Sequence, residues 1–258
     1  MADPASTMCV LDEAVRRIQR FISIQIQGMA QLVADQTRRT CLHTIASCAS
    51  ARIQALANIA REGTTSPLRQ FRLSQACPRL EEEGSMLRIG VYALAANPLH
   101  WGHILVGLSA LVLMKLDRVV FVIAGTDPRK PLMLPPEIRH RLARTVIDTF
   151  EPFFSYSPIA LGTDLDGETN LGRLFALNPR LPLHAFYIAG SDHCRRRTES
   201  GEPDTIEKLE WVAQKLKRSH RPRHSISALF IDRLGQRASA QSMATFLDVH
   251  ILPAMPLS

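Results

Sequence analysis

From Leu87 onward, short uninterrupted apolar runs alternate with stretches of helical periodicity. This alternation constrains the fold more than any other feature of the chain. The runs at 87–94, 119–124, 184–189 and 226–231 have strand length and read as strands buried on both faces. Residues 153–161 read as a further strand interrupted by Pro158. Helical stretches lie at 104–114, 135–150, 171–177, 204–217 and, closing the chain, 241–249. Pro135-Pro136-Glu137 opens one of them, with proline where its missing N–H does no harm and an acid in the first turn. The alternation predicts an α/β fold, a parallel sheet with helices on both faces. Ligands of such sheets lie beyond the carboxyl ends of the strands. Gly-x-Gly-x-x-Gly is absent, so the ordinary dinucleotide fingerprint does not apply.

Residues 1–84 read differently, as a helical extension and linker before a domain at 85–258. Val10, Leu11, Ala14, Ile18, Phe21, Ile22 and Ile26 recur at three- and four-residue steps. Cys41, Leu42, Ile45, Cys48, Ala49, Ile53, Leu56 and Ala60 do so again, and Asp35-Gln36-Thr37 holds the break between them. Two such helices cannot bury their stripes alone; they pack on each other, on the rest of the chain or on a partner. A homo-oligomer or a partner at these helices stays open. Gly63-Thr64-Thr65-Ser66-Pro67 is loop chemistry, and Glu81-Glu82-Glu83-Gly84 is a further break.

The net charge of +7 suits anionic partners, among them nucleotides, nucleic acid and membrane surfaces. The arginines are spread, apart from Arg195-Arg196-Arg197, and no RNA-recognition motif, zinc-finger spacing or basic zipper region occurs. We therefore expect neither a nucleic-acid nor a membrane partner. Five cysteines without a Cys-x-x-Cys pair argue for reduced thiols rather than a disulfide framework or structural zinc. The N-terminus lacks the layout of a secretion signal and no apolar run is long enough for a bilayer span, so a cytoplasmic location is expected.

One stretch carries chemistry. Asn97-Pro98-Leu99-His100-Trp101-Gly102-His103 joins the first strand to the first helix of the alternation. Unpaired N–H groups and the dipole at a helix start favour phosphate. Two imidazoles beside them suit a polyphosphate that gains charge during reaction. Gly190-Ser191-Asp192 follows another strand, and a carboxylate there can accept two hydrogen bonds from a vicinal diol. A turn or cap role is the alternative for Asp192.

The pattern Asn-Pro-x-His-x-Gly-His resembles the signature of the HxGH nucleotidylyltransferases. Together with Tyr187-Ile188-Ala189-Gly190-Ser191-Asp192, it makes 87–242 similar to nicotinamide or nicotinate mononucleotide adenylyltransferases. The resemblance implies a Rossmann-like fold and an enzyme of NAD biosynthesis. Such an enzyme transfers adenylyl from ATP to a pyridine mononucleotide and releases pyrophosphate. It implies His100 and His103 as catalytic. It implies Asn97, Gly102, Lys130, Gly190 and Asp192 at the nucleotide, and Thr169 and Asn170 at the acceptor; Trp101, inside the histidine motif, is expected near the ligand as a stacking partner for the acceptor's ring. Lys130 lies in Gly125-Thr126-Asp127-Pro128-Arg129-Lys130-Pro131, which matches a family loop carrying a basic residue toward the phosphates. Arg141 matches a family arginine better than Arg139, a salt bridge being its alternative. Thr169 and Asn170 are equally plausible as helix caps, and Trp211 reads as core.

In the implied reaction an acceptor phosphate oxygen attacks the α-phosphorus of ATP in line. Histidines and helix N–H groups disperse the charge, and Mg²⁺ is held by the substrate's own phosphates. Two departures stand against this. Ala93 and Leu94 occupy the family's Gly-Gly, where side chains narrow the nucleotide's approach. Ser239-Ala240-Gln241-Ser242-Met243-Ala244 stands for Ser-Ser-Thr-x-x-Arg, so the late arginine is missing at Ala244. Arg233 or Arg237 is the expected replacement. The alternatives are another acceptor (phosphopantetheine, FMN or a CDP-alcohol type), nucleotide binding without turnover, or an interaction protein acting through its N-terminal helices.

Overall fold

Six parallel strands run in the order β3-β2-β1-β4-β5-β6 in the computed structural model of the chain. The structure describes residues 4–62, 86–127, 130–179, 181–218, 224–232 and 246–253. The strands are β1 (Leu87–Leu94), β2 (Arg118–Ile123), β3 (Phe154–Ser157), β4 (Leu183–Gly190), β5 (His224–Ile231) and β6 (Asp248–Leu252). The chain starts at the middle of the sheet, winds outward through β3, and returns to place β4 beside β1. That reversal places a switch point at the carboxyl ends of β1 and β4, where sheets of this kind bind ligands.

Side chains alternate strictly across the sheet. Leu87, Ile89 and Val91 of β1 face one way, with Val120, Val122, Ala185, Tyr187, Ala228 and Phe230. Helices α6 (Gly167–Leu177) and α7 (Thr205–Arg218) cover this face through Leu171, Leu174, Phe175, Ile206 and Leu209. On the other face Val119, Phe121, Ile123, Phe154, Phe186, Ile188 and Leu229 meet α4 (Trp101–Leu113) and α5 (Pro136–Ile147). Gly107 brings α4 close to β2 and β3. A Cβ there would lie 2.9 Å from the Phe121 ring and 3.0 Å from that of Phe154.

Helix α4 is buried around most of its circumference, from Ile104 to Leu111. Such a helix needs cover on its outer side as well, and the N-terminal segment supplies it. That segment runs as α1 (Pro4–Phe21), a π turn (Ile22–Ile26), α2 (Gln27–Leu32) and α3 (Gln36–Glu62). Ile18, Ile22, Ile26, Leu42, Ala49 and Ile53, each at most 1% exposed, join the apolar cluster of α4. The stripes expected at the N-terminus are thus buried against the chain's own α4. Arg52 of α3 donates to the carbonyls of Lys115 and Leu116 just past the end of α4, at 2.9 and 2.7 Å. Arg17 of α1 donates to Thr149 O at 3.0 Å.

The chain breaks between α2 and α3 at Asp35, whose carboxylate caps α3 by accepting from Arg38 N at 2.8 Å. One expectation is overturned. The sequence predicts a closing helix over 241–249, whereas β6 occupies 248–252 and pairs with β5 from Ser227↔Asp248 to Ile231↔Leu252. Exposed Asp248 and partly buried Val249 fit an edge strand beside β5. Residues 241–245 lie outside the described residues. Helix α6 starts at Gly167 rather than 171, because Asp166 caps it by accepting from Thr169 N at 2.8 Å. Strand β3 is shorter than the expected 153–161 and stops before Pro158.

The Arg195-Arg196-Arg197 run is committed within the chain. Arg195 pairs with Asp204, Arg196 with Glu210 through two hydrogen bonds of 2.9 and 2.6 Å, and Arg197 with Glu207 at 2.8 Å. The acids lie at three-residue steps on the start of α7, so the run fastens the loop after β4 to that helix. Cys41, Cys48 and Cys194 are free thiols. Among the described residues, no helix is long and apolar enough to cross a membrane.

Candidate active site

Past Leu94 the chain turns sharply, with buried Ala96 at φ 48°, in the left-handed region. The following residues 97–100 lead into α4. His100 is the N-cap, extended at φ −137° and ψ 174°. Its Nδ1 accepts from Gly102 N at 3.2 Å, and His103 Nδ1 accepts from His100 N at 3.2 Å. The pair is a capping box built from two imidazoles, a reciprocal arrangement like that of Ser or Thr with Glu. It sets the tautomers: with Nδ1 accepting, the proton of each neutral ring sits on Nε2. The rings lie 3.8 Å apart between centroids. A helix N-terminus therefore carries two side chains whose Nε2–H groups suit the same anion as its backbone amides.

The neighbouring loop is tied to this turn. Asn97 Oδ1 accepts from Leu134 N at 2.9 Å, bridging the turn to the loop after β2. Lys130, in that loop, is exposed and lies 3.9 Å from the Asp127 carboxylate. Gly125 is required here by close approach, since a Cβ would lie 2.0 Å from Thr163 O. Behind the loop sits Arg139, 1% exposed. It donates to Leu134 O at 2.8 Å, Ala95 O at 2.6 Å, Ala124 O at 2.9 Å, and Gly125 O. One guanidinium thus ties the ends of β1 and β2 to the loop between β2 and α5. His140 supports the same place, with Nδ1 2.7 Å from Tyr156 Oη and Nε2 3.3 Å from Ala124 O. Burial lowers its pKa, so the neutral ring donates to the carbonyl and accepts from the tyrosine.

Sequence reasoning favours Arg141 over Arg139, yet Arg141 is exposed. The missed signal is periodicity. Arg139, Ala143 and Ile147 are one buried stripe of α5, so Arg139 must reach inward.

Asp192 lies in the turn Ser191–His193 directly after β4, its Oδ2 3.6 Å from His193 Nε2. β1 and β4 are adjacent and parallel, so Gly190 and Asp192 follow the strand end beside the one that leads to His100 and His103. The start of α6 packs close to these strands. A Cβ on Gly167 would lie 2.5 Å from Ala93 Cβ and 2.2 Å from Tyr187 Oη. Ala93 and Leu94 are partly buried, Ala93 packed against the apolar cluster on the α6 side and Leu94 against that on the α4 side.

The acceptor-side residues divide. Thr169 is exposed at the start of α6, whereas Asn170 is 1% exposed and fully engaged. Its amide donates to Leu165 O at 3.1 Å and Asp166 O at 3.0 Å, and its oxygen accepts from Arg173. Asn170 therefore fastens the helix start, the cap-like alternative to ligand contact. Trp101 is 39% exposed and stacks on Phe21 of α1. Trp211 is 52% exposed, not core, because it sits on the outer face of α7. Arg237, Arg233 and Ala244 lie outside the described residues.

Beneath this end of α6 the structure holds an acid that sequence reasoning did not single out. Glu168 is 6% exposed and hydrogen-bonds Tyr187 and Thr205. Burial raises its pKa, with Asp166 adding to the rise. Asp166 goes the other way: burial pushes it up, but Thr169 and Lys208, 2.9 Å from its Oδ2, leave it below the ordinary value. Among the described residues, no group of three or more His, Cys, Asp or Glu side chains could hold a metal ion.

Fold and site together define a doubly wound α/β domain with a His-x-Gly-His turn at its switch point. No family model matches the chain. It is similar to curated proteins named probable nicotinate-nucleotide adenylyltransferase. The protein from Thermoanaerobacter sp. (strain X514) is 34% identical over 84 residues, 32% of this chain and 39% of the relative. One from Thermus thermophilus is 32% identical over 111 residues, 42% of this chain and 58% of the relative. The chain thus spans less than two thirds of the length of these relatives. Among solved structures, Plasmodium falciparum nicotinic acid mononucleotide adenylyltransferase complexed with NaAD superposes with a TM-score of 0.49 at 13% identity. That superposition covers 65% of this chain and 75% of the other.

Proposed function

We propose that the chain transfers adenylyl from ATP to a pyridine mononucleotide, nicotinate or nicotinamide mononucleotide, releasing pyrophosphate in NAD biosynthesis in the cytoplasm. The observation that carries this reading is the paired imidazole cap. His100 and His103 both accept backbone N–H groups through Nδ1, which assigns Nε2–H as the donor of each ring. ATP enters as its Mg²⁺ complex. The acceptor's phosphate oxygen forms a bond to the α-phosphorus while the bond from that phosphorus to the β-phosphate bridging oxygen breaks. The electron pair leaves on pyrophosphate, so no protein nucleophile is needed. Charge grows on the phosphates in the transition state, and preorganised donors at a helix start stabilise it without reorganising. Lys130 and Arg237 are proposed to face the triphosphate. Gly190 and Asp192 are proposed to meet a ribose, and Trp101 and Thr169 to lie toward the acceptor.

Binding without turnover is a second reading, favoured by Ala244 standing where the resembling family carries arginine. One screen separates the two. Purified protein is incubated with Mg·ATP or Mg·CTP and nicotinate mononucleotide, nicotinamide mononucleotide, phosphopantetheine or FMN, and pyrophosphate release is followed. The first reading expects release with ATP and a pyridine mononucleotide. ATP binding with no release from any pair supports the second.

A further inference from the structure

Trp101 is the residue between the two histidines and the first residue of α4. One face of its ring is covered by Phe21, with centroids 4.8 Å apart and planes inclined by 29°. Phe21 in turn sets its ring edge-on to Phe150, 4.7 Å away, in the turn after α5. Phe21 is half-buried and packs at the edge of the apolar cluster in which Val15, Ile18, Ile22 and Ile26 are each at most 4% exposed. Phe21 and Arg17 lie one turn apart at that edge, and both reach the same place: Arg17 bonds Thr149 O, beside Phe150. Immediately after Phe21 the helix widens into its π turn, a feature that in helices accompanies functional sites. At the other end of α4, Arg52 of α3 grips the carbonyls of Lys115 and Leu116. The N-terminal layer therefore holds α4 at both ends, by an aromatic stack at the end that carries the histidines.

We propose that Phe21 is a positioning residue: its stack on Trp101 fixes the first turn of α4, and with it the direction in which His100 and His103 meet phosphate. This rests on the reading that the turn engages ATP. It gives one side chain of α1 a positioning part at the site, while the rest of the N-terminal layer covers α4. An aromatic pair contributes modestly to stability, whereas displacement of a catalytic donor is felt steeply in rate.

The test uses the full chain. Because the chain has two tryptophans, Trp211→Phe leaves Trp101 as the reporter. In that background Phe21→Ala, Phe21→Tyr and, as a stability control from the same layer, Ile53→Ala are compared by thermal melting, Trp101 emission, Mg·ATP titration and pyrophosphate release. Phe21→Ala is expected to shift Trp101 emission and lower kcat by about ten- to a hundredfold, with KM for the mononucleotide changing less. Phe21→Tyr restores both, and Ile53→Ala loses melting temperature while keeping kcat within a few-fold of the parent. A Phe21→Ala protein with unchanged kcat, or a kcat loss no greater than that of Ile53→Ala, overturns the proposal. If the parent releases no pyrophosphate with any acceptor, the functional reading fails separately, and Phe21 is judged on Mg·ATP affinity. Weakening beyond that of Ile53→Ala upholds the positioning role, and equal affinity overturns it.

Discussion

The two faces of the sheet are covered in different ways. On the face of α4 and α5, a second layer of helices encloses α4 through an apolar cluster, with Arg17 and Arg52 donating to backbone carbonyls. On the face of α6 and α7 the described residues form one layer of helices. The loop after β4 is fastened to α7 by three arginine–carboxylate pairs, and Glu168 is buried beside Tyr187. Burial of a whole aliphatic side chain is worth about 1.5–3 kcal/mol, whereas these pairs set half-exposed arginines on largely buried carboxylates, whose desolvation offsets much of the attraction. The first face is therefore held by many burials with a few arginines setting position, and the second combines a smaller core with polar links. Helix α7 is amphipathic and meets solvent with Trp211, while α4 is apolar all round, and a helix of that kind implies another layer.

Removing residues 1–62 breaks the comparison most severely. It strips the outer cover from α4, and the truncated protein is expected to aggregate or assemble differently, read by light scattering and chromatography. A soluble truncation of unchanged assembly and full activity would show that α4 needs no cover.

A smaller effect is expected at the junction of β1 and β2, where polar satisfaction matters on the apolar face too. Arg139→Met keeps much of the volume but removes the donors to the carbonyls of Ala95, Ala124, Gly125 and Leu134. Gly125 O, the buried acceptor among them, loses this donor at a cost of about 1–3 kcal/mol, whereas Ala124 O keeps His140 and Leu134 is exposed. Denaturant unfolding should show a loss of at least that size, while Arg141→Met, at an exposed position, changes little.

The smallest effect concerns the second face. Burial raises the pKa of Glu168, so the folded protein holds its proton to higher pH than the unfolded chain does. As pH rises from the ordinary glutamate value through this raised one, the folded state loses stability relative to a neutral side chain. Glu168→Gln can still accept from Tyr187, and its melting temperature should gain on that of the parent as pH increases over this window. A constant gap between the two would place Glu168 outside the titration.

Much of this is legible in the sequence because it depends on local pattern. The strands at 87–94 and 184–189, the break near Asp35, and the histidine turn all announce themselves through period, length and cap chemistry. What is not legible depends on neighbours. Val249 and Ile251 alternate with Asp248 and His250, a two-residue period, yet a short edge strand becomes decisive only once β5 lies beside it. Asn170 looks the same in sequence whether it meets a ligand or a helix start; its contacts with Leu165, Asp166 and Arg173 decide. In sequence Trp101 reads as a ligand neighbour, and nothing near it in the chain points to Phe21, which belongs to a different helix far upstream. Arg139 is readable, since its place on the inward stripe of α5 precedes any structure.

The central claim is that the paired imidazole cap at the start of α4 stabilises charge in adenylyl transfer. Its most direct test is pyrophosphate release by His103→Ala, measured with Mg·ATP and the pyridine mononucleotide that the parent uses, beside a titration of ATP affinity. The expected result is a fall in kcat of about 10²–10³-fold with a much smaller change in ATP binding. Turnover equal to that of the parent would contradict it.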